Sequence, residues 1–208
     1  MLALGMIAAL AMPGTAQATP QLGDLGVKQS MSVKASNGES LEGKDLRAIQ
    51  LATYTAASVD GNTIVGYDLT TNTALASDIT AAAKAAGATD TNLTVNGKND
   101  PMVWVVKNLT DSRSDPWSGK LRNFCNSLAK QTNFAKQDGT AVSTLSQDKA
   151  TMSTGNVLVP GIYAIVDRTP ATTTLSSGTA IKTTASIMMM NGTAVNGVNQ
   201  LRTAGRHA

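Results

Sequence analysis

The sequence predicts a mainly β fold, a β-sandwich that carries a helical insertion. Strand-like segments occupy both ends of the chain and helix-like segments its middle, an order that favours a sandwich interrupted by helices. The composition agrees with this, because Thr and Val favour strands and the frequent Asn and Gly suit turns. A mature chain of about 190 residues is long enough for one generous domain or two small ones.

Three strands are predicted in the first third of the chain. Residues 27–33 alternate loosely and predict the first strand, and Asn37-Gly38 predicts a turn. Asp60-Gly61 predicts another turn, followed by a return strand over residues 63–69. Residues 46–55 predict the strand between these turns, with Leu46, Ala48, Gln50, Ala52 and Tyr54 on one side and Arg47, Ile49, Leu51 and Thr53 on the other.

Three helices are predicted in the middle. Ser77 and Asp78 can cap a helix over residues 79–86, and Gly87 would end it. Asp100-Pro101 predicts the start of a second helix, although its valines leave a strand as a rival interpretation. Asp115-Pro116 repeats that start signal. The apolar residues after it recur at helical spacing: Trp117, Leu121, Phe124, Cys125 and Leu128.

Strand patterns return near the carboxyl end. Residues 150–154 predict a short strand, and residues 157–166 (VLVPGIYAIV) carry the strongest strand signal of the chain. Pro160-Gly161 within that run marks a turn or a sheet edge. Residues 187–190 form a last apolar run, which Asn191-Gly192 closes. The run includes three consecutive Met residues, which we interpret as a core strand.

Residues 1–18 predict a secretory signal peptide. Their apolar run ends at the small-x-small site Ala16-Gln17-Ala18 and is shorter than the roughly 20 residues that span a bilayer. We therefore expect cleavage between Ala18 and Thr19 and a secreted product. No Lys or Arg precedes Lys28, whereas signal peptides open with basic residues, so we expect the full reading frame to start slightly earlier.

No catalytic, cofactor or metal site is predicted, and we expect the protein not to be an enzyme. The chain has one Cys and one His, Cys125 and His207, which cannot build a metal cluster or a convincing catalytic triad. We expect Cys125 to be a buried structural thiol. The Asp residues at positions 100, 111 and 115 are better explained by helix capping. A net charge of +3, without a basic block beside aromatic residues, argues against nucleic acid as a partner.

Four segments in order resemble a known family. Residues 41–54 (LEGKDLRAIQLATY) are similar to the opening of actinobacterial SpaA-type pilins, the fimbrial subunits of Gram-positive bacteria. Residues 65–71 (VGYDLTT) resemble the next segment of those proteins. Asp100-Pro101-Met102 and residues 121–128 look like their helical insertion. Residues 158–167 (LVPGIYAIVD) are similar to the strand pair that pilins share with B-type domains of collagen adhesins.

The resemblance implies an Ig-like, CnaB-like β-sandwich with two or three helices, over residues 19–192. It implies a cell-wall-associated fimbrial subunit in adhesion, with sortase and other pilin subunits as partners. The sequence departs from the family in lacking a sorting motif, a linking Lys motif and further pilin domains, and residues 193–208 resemble nothing in it. We therefore expect a truncated pilin. The alternative function is a secreted adhesin, a binding module for a host glycan or matrix protein.

The resemblance also raises the question of an intramolecular Lys–Asn isopeptide bond, which stiffens many pilin domains. Lys34 beside the first predicted strand is the candidate donor, and the late candidates are Asn191, Asn196 and Asn199. Burial would lower the pKa of such a Lys and make its amine nucleophilic. The acid that would assist the reaction is hard to find, because Glu39 and Glu42 lie beside a turn. We therefore expect that the bond does not form.

Overall fold

The computed structural model describes residues 28, 30–35, 39–60, 63–95, 97–109, 119–181 and 188–192. Within them, antiparallel sheets are combined with a few short helices. The helices are α1 (Ala76–Ala85), α2 (Pro101–Asn108), α3 (Lys120–Leu128) and α4 (Thr132–Ala135). The strands are β1 (Ser32–Lys34), β2 (Leu46–Asp60), β3 (Thr63–Thr71), β4 (Thr94–Val95), β5 (Lys98–Asn99), β6 (Thr140–Val142), β7 (Thr144–Leu145), β8 (Thr151–Ser153), β9 (Gly161–Asp167) and β10 (Met188–Gly192).

The central sheet has the order β10-β9-β2-β3, and β6 pairs with the start of β2. Its middle strand β9 is buried at every position from 161 to 166, so both of its faces are covered. A strand covered on both faces has no place for an exposed polar residue, which explains the unbroken apolar run GIYAIV. The strand predicted over residues 157–166 is thereby confirmed from Gly161 onward, whereas residues 157–160 lie outside β9, and the Pro-Gly pair lies where β9 begins.

Different layers cover the two faces of this sheet. Helices cover one face, where Ile49, Ile79, Val105, Phe124 and Leu128 belong to one buried cluster. The small sheet β1-β8-β7 covers the other face, where a second buried cluster joins it to β2 and β9. That cluster contains Met31, Val33, Leu46, Ala48, Val142, Met152, Leu158, Tyr163 and Ile165.

The side-chain alternation predicted for β2 holds only up to Gln50. Pairing with β9 runs from Gln50 opposite Tyr163 to Ala52 opposite Ile162, so Leu51 is the extra residue of a β-bulge. The bulge shifts the alternation by one residue, and Ala52 and Tyr54 join Ile49 and Leu51 in the cluster under the helices. The prediction that Ala52 and Tyr54 share a side with Leu46 was therefore wrong.

Helices are present in the middle of the chain, and α2 is a helix rather than the rival strand. The Asp115-Pro116 start signal and Trp117 lie outside the described residues, and α3 begins at Lys120. Ser77 and Asp78 lie inside α1 and do not cap it, because α1 begins at Ala76. The Asp78 carboxylate instead accepts hydrogen bonds from the Phe134 backbone N–H at 2.8 Å and the Asn133 side chain at 3.0 Å, and so ties α4 to α1.

Asp100 is the residue before α2, as its Asp-Pro signal predicts, but its side chain does not cap that helix. Its carboxylate accepts a hydrogen bond from the backbone N–H of Thr71 at 3.1 Å and another from the Thr71 hydroxyl. The Thr71 hydroxyl oxygen in turn accepts from the N–H of Met102 at 3.0 Å. Thr71 therefore performs the capping, and the end of β3 fixes the start of α2.

Candidate functional site

The structure places Lys34 and Asn191, two candidates for the isopeptide bond, in different sheets. Lys34 is the last residue of β1 in the small sheet, where it pairs with Thr151 and its side chain is exposed. Asn191 lies on β10 of the central sheet, opposite Ile162. Asn196, Asn199 and the cleavage site Ala18-Thr19 lie outside the described residues.

Lys34 has an acidic neighbour in the turn before β8. The pKa of Asp148 is lowered, first by the hydrogen bond from the Ser146 hydroxyl, next by the Ala150 amide, and to a smaller extent by the charge of Lys34. Asp148 is fully exposed, so this carboxylate sits in water rather than in a core. Lys34 is therefore surrounded by solvent, whereas the Lys of an isopeptide bond needs a buried environment.

A buried ion pair joins the two central strands. Lys44 Nζ lies 2.8 Å from Asp167 Oδ2, and the two side chains are only 12% and 2% exposed. Lys44 stands just before β2, and Asp167 ends β9 opposite Leu46. The other carboxylate oxygen of Asp167 accepts hydrogen bonds from the backbone N–H of Thr169, at 2.9 Å, and from the Thr169 hydroxyl.

Backbone hydrogen bonds close the same corner. The N–H of Asp45 donates to the Thr169 hydroxyl oxygen at 2.9 Å, and the N–H of Arg168 donates to the Asp45 carbonyl at 2.7 Å. Lys44 and Asp167 were not predicted as a pair from the sequence. No local pattern points to the pair, because a charged residue at the end of an apolar strand, such as Asp167 at the end of β9, is ordinary.

Beside this corner, a cavity of about 290 Å³ carries several exposed charges. Arg47 Nε lies 2.6 Å from Asp45 Oδ1, and this hydrogen bond is the main reason why the pKa of Arg47 is raised. Arg168 Nη2 is 3.4 Å from the Phe134 carbonyl, at the end of α4, so its charge faces helix-terminal carbonyls. The basic groups around this cavity are therefore largely compensated from within the chain.

An uncharged hydrogen-bonded group lies farther along β2. Gln50 Nε2 donates to the Tyr163 hydroxyl oxygen at 3.1 Å, and that hydroxyl donates to the Val159 carbonyl at 2.8 Å. Burial raises the pKa of Tyr163 to about 12. Asn72 Nδ2 donates to the Gln50 carbonyl at 2.9 Å. These side chains line a second cavity of about 280 Å³.

Chemistry-bearing residues are sparse in the part of the chain that the structure describes. No group of three or more His, Cys, Asp and Glu side chains there could hold a metal ion. Cys125 is buried on the apolar side of α3, as its helical spacing predicts. No helix among the described residues is long and apolar enough to cross a membrane.

Comparison with known protein families, curated proteins and solved structures finds no match to this chain. The case for its function therefore depends on the arrangement of its own residues.

Proposed function

We propose that this protein is a structural subunit of a cell-surface fimbria that serves in adhesion. The observation that carries the proposal is the pairing of β2 with β9. Residues 41–54 and 158–167, the two segments that most resemble pilins, supply these neighbouring strands at the centre of the sheet. Segments separated by about a hundred residues in the sequence thus form one unit in space, as a shared family architecture requires.

The same pairing suits a protein that carries tension. β2 and β9 run antiparallel over seven paired positions, from Leu46 opposite Asp167 to Thr53 opposite Gly161. Pulling the two strands past each other would strain these backbone hydrogen bonds together rather than one at a time. The Lys44–Asp167 ion pair lies at one end of the ladder, where separation of the strands would leave both charges in a poorly hydrated site. A chain with a single Cys has no internal disulfide for this task.

The finer fold assignment, a CnaB-like β-sandwich with helices, belongs to the same proposal. It is supported by the small sheet β1-β8-β7, which packs through Val33 and Met152 onto the face of the central sheet that carries Leu46 and Ile165. Two sheets that face each other across an apolar layer form the basic unit of a sandwich. In this proposal, the helices on the opposite face are the insertion.

Cell-wall extracts of the source bacterium provide the test. In this proposal the full reading frame carries the sorting and linking motifs that residues 1–208 lack, so an antibody raised against the recombinant chain should detect a ladder of sortase-linked bands that survives boiling in detergent. Deleting the sortase gene should collapse the ladder to the monomer. A single monomeric band in the culture medium, whether sortase is present or absent, would refute the fimbrial proposal and favour the secreted adhesin.

A further inference from the structure

A cavity opens where β2 changes its pairing partner. On one edge, β2 pairs with β6 over Leu46–Ala48 and with β3 from Ala52 onward, which leaves residues 49–51 without a neighbouring strand on that edge among the described residues. The cavity there has a volume of about 280 Å³. Its polar lining consists of Gln50, Asn72, Gln137, Thr140 and Tyr163.

One wall of this cavity is built from backbone that lies unusually close to β2. Gly139 has a φ of +66°, and a Cβ at this position would stand 2.8 Å from the carbonyl oxygen of Ala48. Only glycine fits both the backbone angle and the space. The chain from Gln137 to Thr140 is therefore held against β2, so the cavity belongs to the folded framework.

The lining carries no formal charge at neutral pH. Its polar groups are the side-chain amides of Gln50, Asn72 and Gln137 and the hydroxyls of Thr140 and Tyr163. The Tyr163 phenol stays neutral, since burial raises its pKa to about 12. An ionic ligand would have to leave water without meeting an opposite charge, which is costly. The cavity therefore favours a neutral ligand.

The hydrogen bonds within the protein leave both donors and acceptors for a ligand. One N–H of the Gln50 amide donates to the Tyr163 hydroxyl, whose own proton goes to the Val159 carbonyl. One N–H of the Gln137 amide donates to the Asn133 carbonyl at 3.2 Å. Among the described residues, no donor reaches Gln50 Oε1 or Gln137 Oε1, and each amide keeps its second N–H. A ligand that fits both donates and accepts hydrogen bonds.

Asn72 is held in place by a hydrogen bond at each end of its amide. Its Nδ2 donates to the Gln50 carbonyl at 2.9 Å, and its Oδ1 accepts from the N–H of Ala74 at 3.1 Å. The Asn72 side chain therefore forms a rigid part of the cavity wall. Val157 and Val159 form an apolar rim, with 49% and 38% of their surface exposed.

We propose that this cavity binds a neutral saccharide unit. Adjacent sugar hydroxyls both donate and accept within one ring, which matches the amide oxygens and the remaining amide N–H groups of Gln50 and Gln137. A carboxylate offers acceptors alone, and a peptide backbone offers one N–H per residue. The C–H face of a sugar ring can rest on Val157 and Val159. This inference goes beyond the structural role proposed above and does not require the chain to polymerise.

Nuclear magnetic resonance on the ¹⁵N-labelled full chain tests the site, because each side-chain NH₂ group gives its own pair of signals. The probes are the methyl glycosides of glucose, galactose and N-acetylglucosamine. At least one should shift the Gln50 and Gln137 side-chain signals saturably. The Gln131 signals should stay in place, since its amide donates to the Ser127 carbonyl away from the cavity. Glucuronate and N-acetylalanine methylamide, the anionic and peptide probes, should bind more weakly.

A matched pair of variants completes the test. Gln137→Ala should weaken saccharide binding by about three- to tenfold, the loss expected for one hydrogen bond, while Gln131→Ala should leave it unchanged. Both positions are only partly buried, so both variants should fold. Failure of all three glycosides to shift the cavity amides would overturn the proposal. So would equal or tighter binding of glucuronate or the peptide probe, or an unchanged affinity in Gln137→Ala.

Discussion

Gly161, the first residue of β9, lies directly against the backbone carbonyl of Ala52 on β2. A Cβ built at position 161 would overlap that carbonyl oxygen and approach Gln50 Nε2 to 3.3 Å. The contact occurs just beyond the Leu51 bulge. The glycine of the GIY segment is therefore required by the spacing between two backbones and not by a turn.

Gly161→Ala should destabilise the protein by about 2–3 kcal/mol, because a methyl group at this site forces two paired strands apart. Urea unfolding followed by circular dichroism measures the loss. Gly155→Ala is the control, since Gly155 lies before β9 and has open space around the position of a Cβ atom. It should cost only about 1 kcal/mol, for its positive φ. Equal losses in the two variants would show that the close approach to Ala52 is absent.

The buried pair gives a second prediction. Asp167→Asn keeps the shape of the side chain but removes its charge, so the buried Lys44 ammonium loses the carboxylate that lies 2.8 Å from it. Loss of one partner of a buried pair costs about 3–5 kcal/mol in the free energy of unfolding. Lys84→Ala is the matched control, because its 2.6 Å pair with Asp90 is exposed and should contribute less than about 1 kcal/mol. Similar effects of both substitutions would contradict the burial of the Lys44–Asp167 pair.

Lys149 combines backbone strain with a surface ion pair. Its φ of 57° lies in the left-handed region, and its Nζ is 2.8 Å from Glu42 Oε2. Lys149→Gly and Lys149→Ala both remove the ion pair, so the difference between them isolates the backbone. The Gly variant should be more stable by about 1 kcal/mol, since glycine adopts this conformation without a steric penalty. Thermal unfolding of the two variants measures this difference. An Ala variant as stable as the Gly variant would rule out backbone strain at position 149.

Tyr163 predicts how stability changes at alkaline pH. Its pKa is near 10 in the unfolded chain and is raised to about 12 in the fold, so the folded state favours the neutral phenol. This contribution is fully present below pH 10 and is lost as the pH rises toward 12, because the unfolded chain then releases the proton first. Tyr163→Phe should flatten this part of the stability–pH curve in urea melts. An equally steep fall in the variant would assign the effect to other groups.

The sequence carried the main elements of the fold but not their junctions. The strand β9 and the helix around Phe124 were predictable from the sequence. Burial of both faces of a strand leaves an unbroken apolar run, and burial of one face of a helix leaves apolar residues at helical spacing. The Leu51 bulge was not predictable, since a one-residue shift in pairing leaves the composition of β2 unchanged. The sequence predicts Asp78 as the cap of its own helix because capping is local. The groups that donate hydrogen bonds to its carboxylate belong to Asn133 and Phe134, which are distant in sequence.

The candidate sites follow the same division. Lys34 could be named from its place near a strand, but its exposure depends on which face β1 turns toward the central sheet. The pairing of Lys44 with Asp167, and the meeting of Gln50 with Gln137 at one cavity, arise only when distant strands come together. Their residue types are ordinary in loops and strand ends, so no local pattern distinguished them.

The last prediction concerns the isopeptide bond. Lys34 is exposed on β1 of the small sheet, whereas Asn191 lies on β10 of the central sheet, so the Lys34 amine should not attack that amide. Intact-mass spectrometry of the secreted protein should therefore give the mass of the mature chain, with no loss of ammonia. Lys34→Ala should change that mass only by the substitution itself. The opposite result would be a wild-type mass lower by one ammonia, together with a Lys34→Ala variant at the mass calculated from its sequence. That result would show that Lys34 does form the bond with one of the late asparagines.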